Sequence, residues 1–445
     1  MYIQKSALYG VFQIEQEKHI GIIIKELREY RGISQETLAR EAFFNRSKLS
    51  QIELGNQDCP NDVLLAIKTK LDIVGLPIKE SDRPEFRDTL HKWYELISER
   101  KWEEAKELRI KLSIIKLLPH DVELNNLFSL FECRLLLGLN DLTASKDILD
   151  NFETVLSGLT DIQKYHYHYN YGTYSVKSKL NNQALDYYLK AYELMKLGLE
   201  KNITLYFNIA ICYERLGQVS RAVTFLEEAC TLHPHSQNNV PKFYLYNFLG
   251  VSYARVGLLQ RAKTMLDKAH SIAFDEHKAS ESDDSKTHMC MVYINYGFLF
   301  RMAKKWNRAI EYLDKSISFA DKSTTNYIEA VYQKTRVLIE MGNTLSCNSL
   351  LSEGVLLSKA NEVYTLMFEA LKHMINTTDD SAKILETKIL RYMLDNNIMY
   401  PALDYATFLR DYYRIRGRGF KTRALEMSDT VCNIFNQMHE GGVIE

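Results

Sequence analysis

The chain is predicted to be all-α, and three observations carry that expectation. Apolar residues recur at i, i+3, i+4 and i+7 through most of its 445 residues, strand-like alternation is scarce, and helix breakers are few, with 7 prolines and 19 glycines. A hydrophobic share of 46% suffices for a folded core, and the length calls for more than one cooperative unit. Lys and Arg number 56 against 57 Asp and Glu, a net charge of −1, so any contact with a polyanion has to come from a local patch. The seven cysteines, at 59, 133, 212, 230, 290, 347 and 432, are odd in number and form no C-x-x-C pair. They read as reduced thiols of a cytosolic protein. No window approaches about 18 uninterrupted apolar residues and the first residues lack a leader-like apolar core, so neither a membrane span nor secretion is expected.

After an N-terminal extension (1–18), residues 19–75 predict five short helices. The first carries Ile20, Ile23, Ile24 and Leu27 on one face and stops before Gly32. Ser34 is placed to cap the second, Gln35 to Ala42, with Leu38 and Ala39 inward; Asn45 is placed to cap the third, Arg46 to Glu53, with Leu49 and Ile52 inward. Gly55 ends it, and Pro60 precedes two more helices carrying Val63, Leu64, Ile67 and Leu71. Two short helices joined by a three- to four-residue turn form a helix-turn-helix. The segments I-x-x-L-R at 24–28, I-S-Q-E-x-L-A at 33–39, S-x-L-S-Q-I-E-x-G at 47–55 and L-D-I at 71–73 resemble the XRE/Cro-type DNA-binding family. The resemblance implies that the third helix enters the major groove of a double-stranded operator and that Gln35 meets a phosphate. Arg28 and Glu53 stand at positions that pair in similar proteins.

Helical geometry makes Arg46, Ser47, Lys48, Ser50 and Gln51 the outward face of the third helix. Arg and Gln can read guanine and adenine edges bidentately, for about 1–3 kcal/mol of discrimination each, while Lys48 suits a phosphate. The turn before Phe44 calls for positive φ, normally a glycine's conformation, yet the residue there is Phe43. Nine Lys/Arg against eight Asp/Glu between 18 and 76 make a modest electrostatic footprint, so dimerisation is expected to matter.

The polar stretch 76–84, bracketed by Pro77 and Pro84, reads as a linker, and from 85 to 445 a repeat takes over. A small residue recurs at Gly172, Ala210, Gly250 and Gly297, with Ser175, Tyr213, Tyr253 or Phe300 three residues on. Twelve residues after each stands Ala184, Ala222, Ala262 or Ala309, then Tyr188, Leu226, Leu266 or Leu313, then Ala191, Ala229, Ala269 or Ser316. The pattern resembles the tetratricopeptide repeat, whose small residues let paired helices approach while large ones fill the holes. The alanines are spaced by 38, 40 and 47 residues, which points to long inter-repeat loops, the most polar being 277–286. Weaker copies around Trp93/Ala105, Gly138, Gly342, Ala382 and Ala424 bring the expected number to eight or nine. Stacked pairs of this kind make a right-handed superhelix with a concave inner face.

Asn170, Asn208 and Asn295 lie two residues before the small residue, and Asn247 three before. Each can bond neighbouring helices, or donate and accept along a peptide backbone; the recurrence at one repeat position favours the peptide. Tyr206, Phe207, Tyr244 and Phe298 supply side-chain pockets. Lys177, Arg215 and Arg255, five residues after the small residue, suit a ligand carboxylate.

An XRE-type domain followed by a tetratricopeptide superhelix resembles the RRNPP group of quorum-sensing regulators, and among its branches the length is most similar to the NprR branch. The resemblance implies a transcriptional regulator switched by a short signalling peptide, assembling as a homo-oligomer, a dimer or a tetramer, through C-terminal repeats near 380–440. Two alternatives stay open: an interaction protein that sequesters a phosphorelay response regulator, and a phage arbitrium-type regulator. His166 and His168 sit at i and i+2 of a helix without a third ligand, as His233 and His235 do around Pro234, and no metal or cofactor is expected. The basic run 414–423 reads as a solvated turn or subunit contact more than as a DNA contact. No catalytic motif is present.

Overall fold

The computed structural model describes residues 21, 24–25, 28–29, 32–60, 63, 66–67, 70, 83–114, 121–198, 202–232, 239–375 and 377–439, and among these the chain is helical, with no strand. The N-terminal extension, Ile20, Ile23, Leu27, Leu64 and Leu71, most of the linker, and His233, Pro234 and His235 lie outside the described residues. The chain divides into two compact units, Met1–Lys179 and Leu180–Glu445.

In the first unit, α1 (Gln35–Glu41) and α2 (Arg46–Glu53) begin at the expected caps. The Ser34 hydroxyl accepts from Thr37 N–H, and the Asn45 side chain accepts from Ser47 and Lys48 N–H, satisfying donors that a helix start leaves unpaired. Leu38, Ala39, Leu49 and Ile52 are buried with Ile24, Val63 and Ile67 in one small core. Phe43 adopts φ +53 and is 95% exposed, so the turn takes the left-handed conformation despite a side chain that disfavours it. Helices α3 (Arg83–Ser98), α4 (Trp102–Ile114), α5 (Val122–Gly138), α6 (Leu142–Glu153) and α7 (Asp161–Lys177) follow. Trp93 is fully buried and donates its indole N–H to Ala105 O at 2.9 Å, so the weak repeat marked by those residues is a real helix pair.

The second unit continues with α8 (Asn181–Lys196), α9 (Ile203–Arg215), α10 (Val219–Leu232), α11 (Asn239–Arg255), α12 (Leu259–Ala279), α13 (Asp283–Met302), α14 (Trp306–Phe319), α15 (Thr325–Glu340), α16 (Thr344–Leu357) and α17 (Glu362–Ile375). Next come α18 (Asp379–Ile384), a π-helical segment (Leu385–Leu390) and α19 (Arg391–Asp395), which act together as one second helix. The pair α20 (Met399–Arg416) and α21 (Lys421–His439) completes the described chain. Among the described residues this makes two helix pairs within the first unit and six within the second.

The same turn recurs inside the pairs. Gly217, Gly257 and Lys304 take positive φ, and the next residue's N–H reaches back into the preceding helix: Gln218 to Tyr213 O at 2.8 Å, Leu258 to Tyr253 O at 2.8 Å, Lys305 to Phe300 O at 2.8 Å. Ala222, Ala262 and Ala309 have no exposed surface, and neither do Leu226, Leu266 and Leu313. A Cβ built on Gly250 would stand 2.7 Å from Leu266 Cγ, and one on Gly297 2.5 Å from Leu313 Cγ, so the leucine of each second helix occupies the space the glycine leaves.

One expectation is corrected. The 47-residue interval does not reflect a long loop at 277–286: α12 runs 21 residues and α13 runs 20, leaving only 280–282 between them. Ser282 caps α13 by accepting from Ser285 N–H, Asp283 and Asp284 favour its N-terminus, and Lys278 lies in the last turn of α12. Polar composition here marks helix ends.

Candidate functional site

Two surfaces collect the functional residues read from the sequence. The first is the outer face of α2. Arg46, Ser47, Lys48 and Gln51 are exposed and Ser50 is half-buried, while Leu49, Ile52 and Glu53 face inward. Gln51 Oε1 accepts from Asn56 Nδ2 at 3.1 Å. Glu53 holds the helix in place: Arg28 donates to it from Nε at 2.8 Å and from Nη2 at 2.9 Å, a bidentate buried pair. Gln35 is half-buried and donates from Nε2 to Glu53 Oε2 at 2.6 Å, so the residue expected at a phosphate also belongs to this network. Lys25, Arg28, Ser34, Gln35 and Arg46 line a recess of about 410 Å³ beside α2, shared with Glu29 and Glu36.

The second surface lies on the first helices of the repeats in the second unit, and two further candidates lie in the first unit. Asn170, in the first unit, is buried and donates from Nδ2 to Leu130 O at 2.7 Å, bracing α7 against α5. Lys177 is exposed and reaches Asn140 Oδ1 at 3.2 Å, at a turn. Asn247, in the second unit, is buried and accepts from Asn295 Nδ2 at 2.8 Å. Tyr206 is buried between Tyr192 and Phe225, with ring centroids at 5.3 Å and 6.2 Å. Phe207 packs edge-on against Phe248 at 5.1 Å, and Tyr244 shares a hydrogen bond of 3.2 Å with His288 Nε2. Asn208 is half-buried on α9.

A cavity of about 630 Å³ opens in the second unit, and of the expected ligand contacts it gathers Arg215, Arg255, Asn295 and Phe298. Arg215 is exposed at its edge. Arg255, expected to meet a ligand carboxylate, is already paired with Glu214 and stacks over the Tyr400 ring at 3.8 Å. Arg255 and Arg301 both approach the Phe298 ring, at 6.0 Å and 5.3 Å. Arg301 is buried and pairs with Glu340 at 2.7 Å, and Arg336 pairs with Asp404 and Glu340. Burial opposes the charge on Arg336, but Asp404 outweighs it and keeps the guanidinium protonated well beyond its ordinary range. Glu329 accepts from Tyr364 Oη at 2.6 Å and from Gln333 Nε2 at 2.7 Å.

Gln333 escaped the sequence reading, although a signal existed. The positive-φ turn residue lies seven after the small residue in Ala210/Gly217, Gly250/Gly257 and Gly297/Lys304. Counting back from Gly342 gives Thr335, and the amide position two before it is Gln333, which lines the cavity. Arg301, Arg336, Tyr364, Tyr400 and Asp404 had no repeat marker to announce them. Among the described residues no group of three His, Cys, Asp or Glu could hold a metal, and no helix is long and apolar enough to cross a membrane.

Residues 205–236, which run through α9 and α10, match the tetratricopeptide repeat family. The chain is 21% identical over 336 residues to regulatory protein RapD of Bacillus subtilis (strain 168), covering 73% of this chain and 92% of that protein. It is 23% identical over 391 residues to transcriptional activator NprA of Geobacillus stearothermophilus, covering 83% and 92%. The apo form of the quorum sensor NprR from B. thuringiensis superposes with TM-score 0.64 at 18% identity, over 80% of this chain and all of that one. NprR in complex with its cognate peptide NprX superposes with TM-score 0.63 at 19% identity, over 79% and 99%. The chain shares its fold with these NprR structures. In this chain the shared fold is a stack of tetratricopeptide-like helix pairs.

Proposed function

We propose that this chain is a peptide-responsive transcriptional regulator, reading a DNA operator with α2 and taking a short peptide into the cavity of its second unit. The observation that carries the reading is the cavity itself. At about 630 Å³, it presents the amides of Asn295 and Gln333 beside the apolar ring of Phe298, a pairing of backbone-matching and side-chain-matching groups suited to an extended peptide. Arg215, exposed at its edge, suits a ligand carboxylate. Asn208 extends the amide series on α9, whereas Asn247 and Tyr206 support the helices that present it, and Asn170 braces the first unit. The relatives' descriptions, a transcriptional activator and a quorum sensor with a cognate peptide, agree with this reading.

On the DNA side, Arg46, Ser47, Lys48 and Gln51 lie exposed on one helix face, and the basic side of the recess near Gln35 suits a phosphate. Dimerisation would pair two such faces on half-sites, and Ile415 and Leu425, 86% and 58% exposed on α20 and α21, support the C-terminal pair as the contact. Isothermal titration with synthetic peptides from short open reading frames beside the gene tests the groove, with Asn295→Ala and Gln333→Ala in parallel. Binding that weakens at least tenfold in both variants supports the reading; equal binding in all three proteins would place the ligand elsewhere. For DNA, Arg46→Ala and Gln51→Ala should each cost about 1–3 kcal/mol of specific operator affinity, and unchanged operator binding in both would overturn the assignment of α2.

A further inference from the structure

The cavity of the second unit is walled on one side by the chain's own C-terminal helix pair. Tyr400, in the first turn of α20, lies 3.8 Å beneath the guanidinium of Arg255, a residue of α11, and that arginine is held in turn by Glu214 of α9. One turn further along α20, Asp404 pairs with Arg336 of α15. Tyr400 and Asp404 are four residues apart, so a single face of α20 reaches both sides of the cavity. Met399 and Met438 approach the turn at Gly217: a Cβ there would stand 2.7 Å from Met399 Cγ and 3.9 Å from Met438 Cγ. α21 also packs along α10.

The two ends of this wall are attached differently. Toward α15 and α17 the attachment is a continuous apolar core of Phe368, Leu385, Met393, Tyr405 and Leu409, all without exposed surface, and Tyr405 shares a hydrogen bond of 3.3 Å with Tyr332. Toward α9 to α11 it is of a different kind, made of a cation on a ring, the small apolar side chains Val219 and Val256, and two flexible methionine side chains. Methionine adapts to several packings, and a cation–π contact re-forms without exact registry of the ring. An element anchored firmly at one edge and lightly at the other opens at the light edge.

We infer that α20 and α21 form a gate on the cavity, hinged on the core around α15 to α19 and latched by Tyr400 on Arg255. In the latched state the chain occupies the cavity's α11 side with its own aromatic ring, and a ligand that needs that side has to lift Tyr400 first. Ligand affinity is then set partly by the latch, because binding to a minor open population is weakened by that population's fraction. The consequence for ligand affinity rests on the peptide-groove reading; the gate itself does not.

Hydrogen exchange on the full chain, without peptide, reads the gate directly. Tyr400→Ala should accelerate exchange in 421–439 and in 215–222 together by about 30-fold, the scale of a desolvated cation–π contact of about 2 kcal/mol. Helices α13 and α14 should keep their wild-type protection. Tyr400→Phe retains the ring and should exchange as wild type, which separates the latch from a folding defect. Wild-type exchange of both segments in Tyr400→Ala would overturn the gate. So would a uniform loss of protection across the second unit, since Tyr400 would then be ordinary core. Failure of the peptide titration alone would sink the groove reading and leave the gate standing.

Discussion

Adding one methyl group at Gly297 should have opposite effects in two backgrounds. A Cβ at this position would stand 2.5 Å from Leu313 Cγ and 2.6 Å from Cδ2, whereas carbon atoms in contact sit about 3.5–4.0 Å apart. Leu313 has no exposed surface, so it cannot swing into solvent and the two helices have to part by roughly an ångström. Overpacking of this kind costs about 1–3 kcal/mol, against about 1 kcal/mol gained by replacing a helical glycine with alanine. Gly297→Ala should therefore destabilise by about 1 kcal/mol. Leu313→Ala alone should cost about 3 kcal/mol, within the range for a buried leucine truncation. With that side chain gone, the clash goes too, and Gly297→Ala should then stabilise by about 1 kcal/mol. The coupling between the sites is thus about 2 kcal/mol, readable in a double-mutant cycle by urea unfolding followed through helical circular dichroism. The same sign for Gly297→Ala in both backgrounds would refute the idea that the repeat's glycine exists to admit the leucine of its second helix.

Three further outcomes follow from the first unit. Burial among Tyr94, Phe131 and Tyr165 pushes the His166 imidazole down to about 3, helped by His91 and Arg134, from an ordinary value near 6.5. Below pH 6.5 the unfolded chain takes a proton that the folded chain refuses, so stability falls with pH by up to about 1.4 kcal/mol per unit until pH 3. Relative to wild type, His166→Phe should gain about 2 kcal/mol on going from pH 7.5 to pH 5, and a pH-independent difference would show that His166 charges in place. Phe43→Gly should stabilise the helix-turn-helix by roughly 0.5–1 kcal/mol, because it relieves a left-handed residue that buries nothing; a lower melting temperature would mean that the phenyl ring makes contacts of its own. Glu53→Ala leaves the buried Arg28 with only the Ile33 carbonyl and the exposed Glu29, removes the acceptor of Gln35, and should cost about 3 kcal/mol. A change under about 1 kcal/mol in the unfolding midpoint would show that Arg28 finds water instead.

The ends of α1 and α2 were legible in the sequence because capping is local: Ser34 and Asn45 bond N–H groups two or three residues away. The helix pairs were legible too, because the small residue, the alanine and the leucine that close each pair lie within one repeat, as in Gly250 and Leu266. Composition misled at 277–286, where polar residues cap and end helices instead of forming a loop. Gln333 stayed hidden because Thr335 replaces the small residue that marks its neighbours' register.

The amino-acid sequence by itself therefore determined the all-helical class, the repeat and the outward face of α2, all of which depend on interactions within one helix or one helix pair. Tertiary structure alone decided which side chains meet in the cavity. Asn295 finds Asn247 48 residues away, Asp404 finds Arg336 68 residues away, and Tyr400 finds Arg255 across several repeats. Such meetings depend on the small rotation from each pair to the next, summed over the stack, and no periodicity in one repeat records that sum.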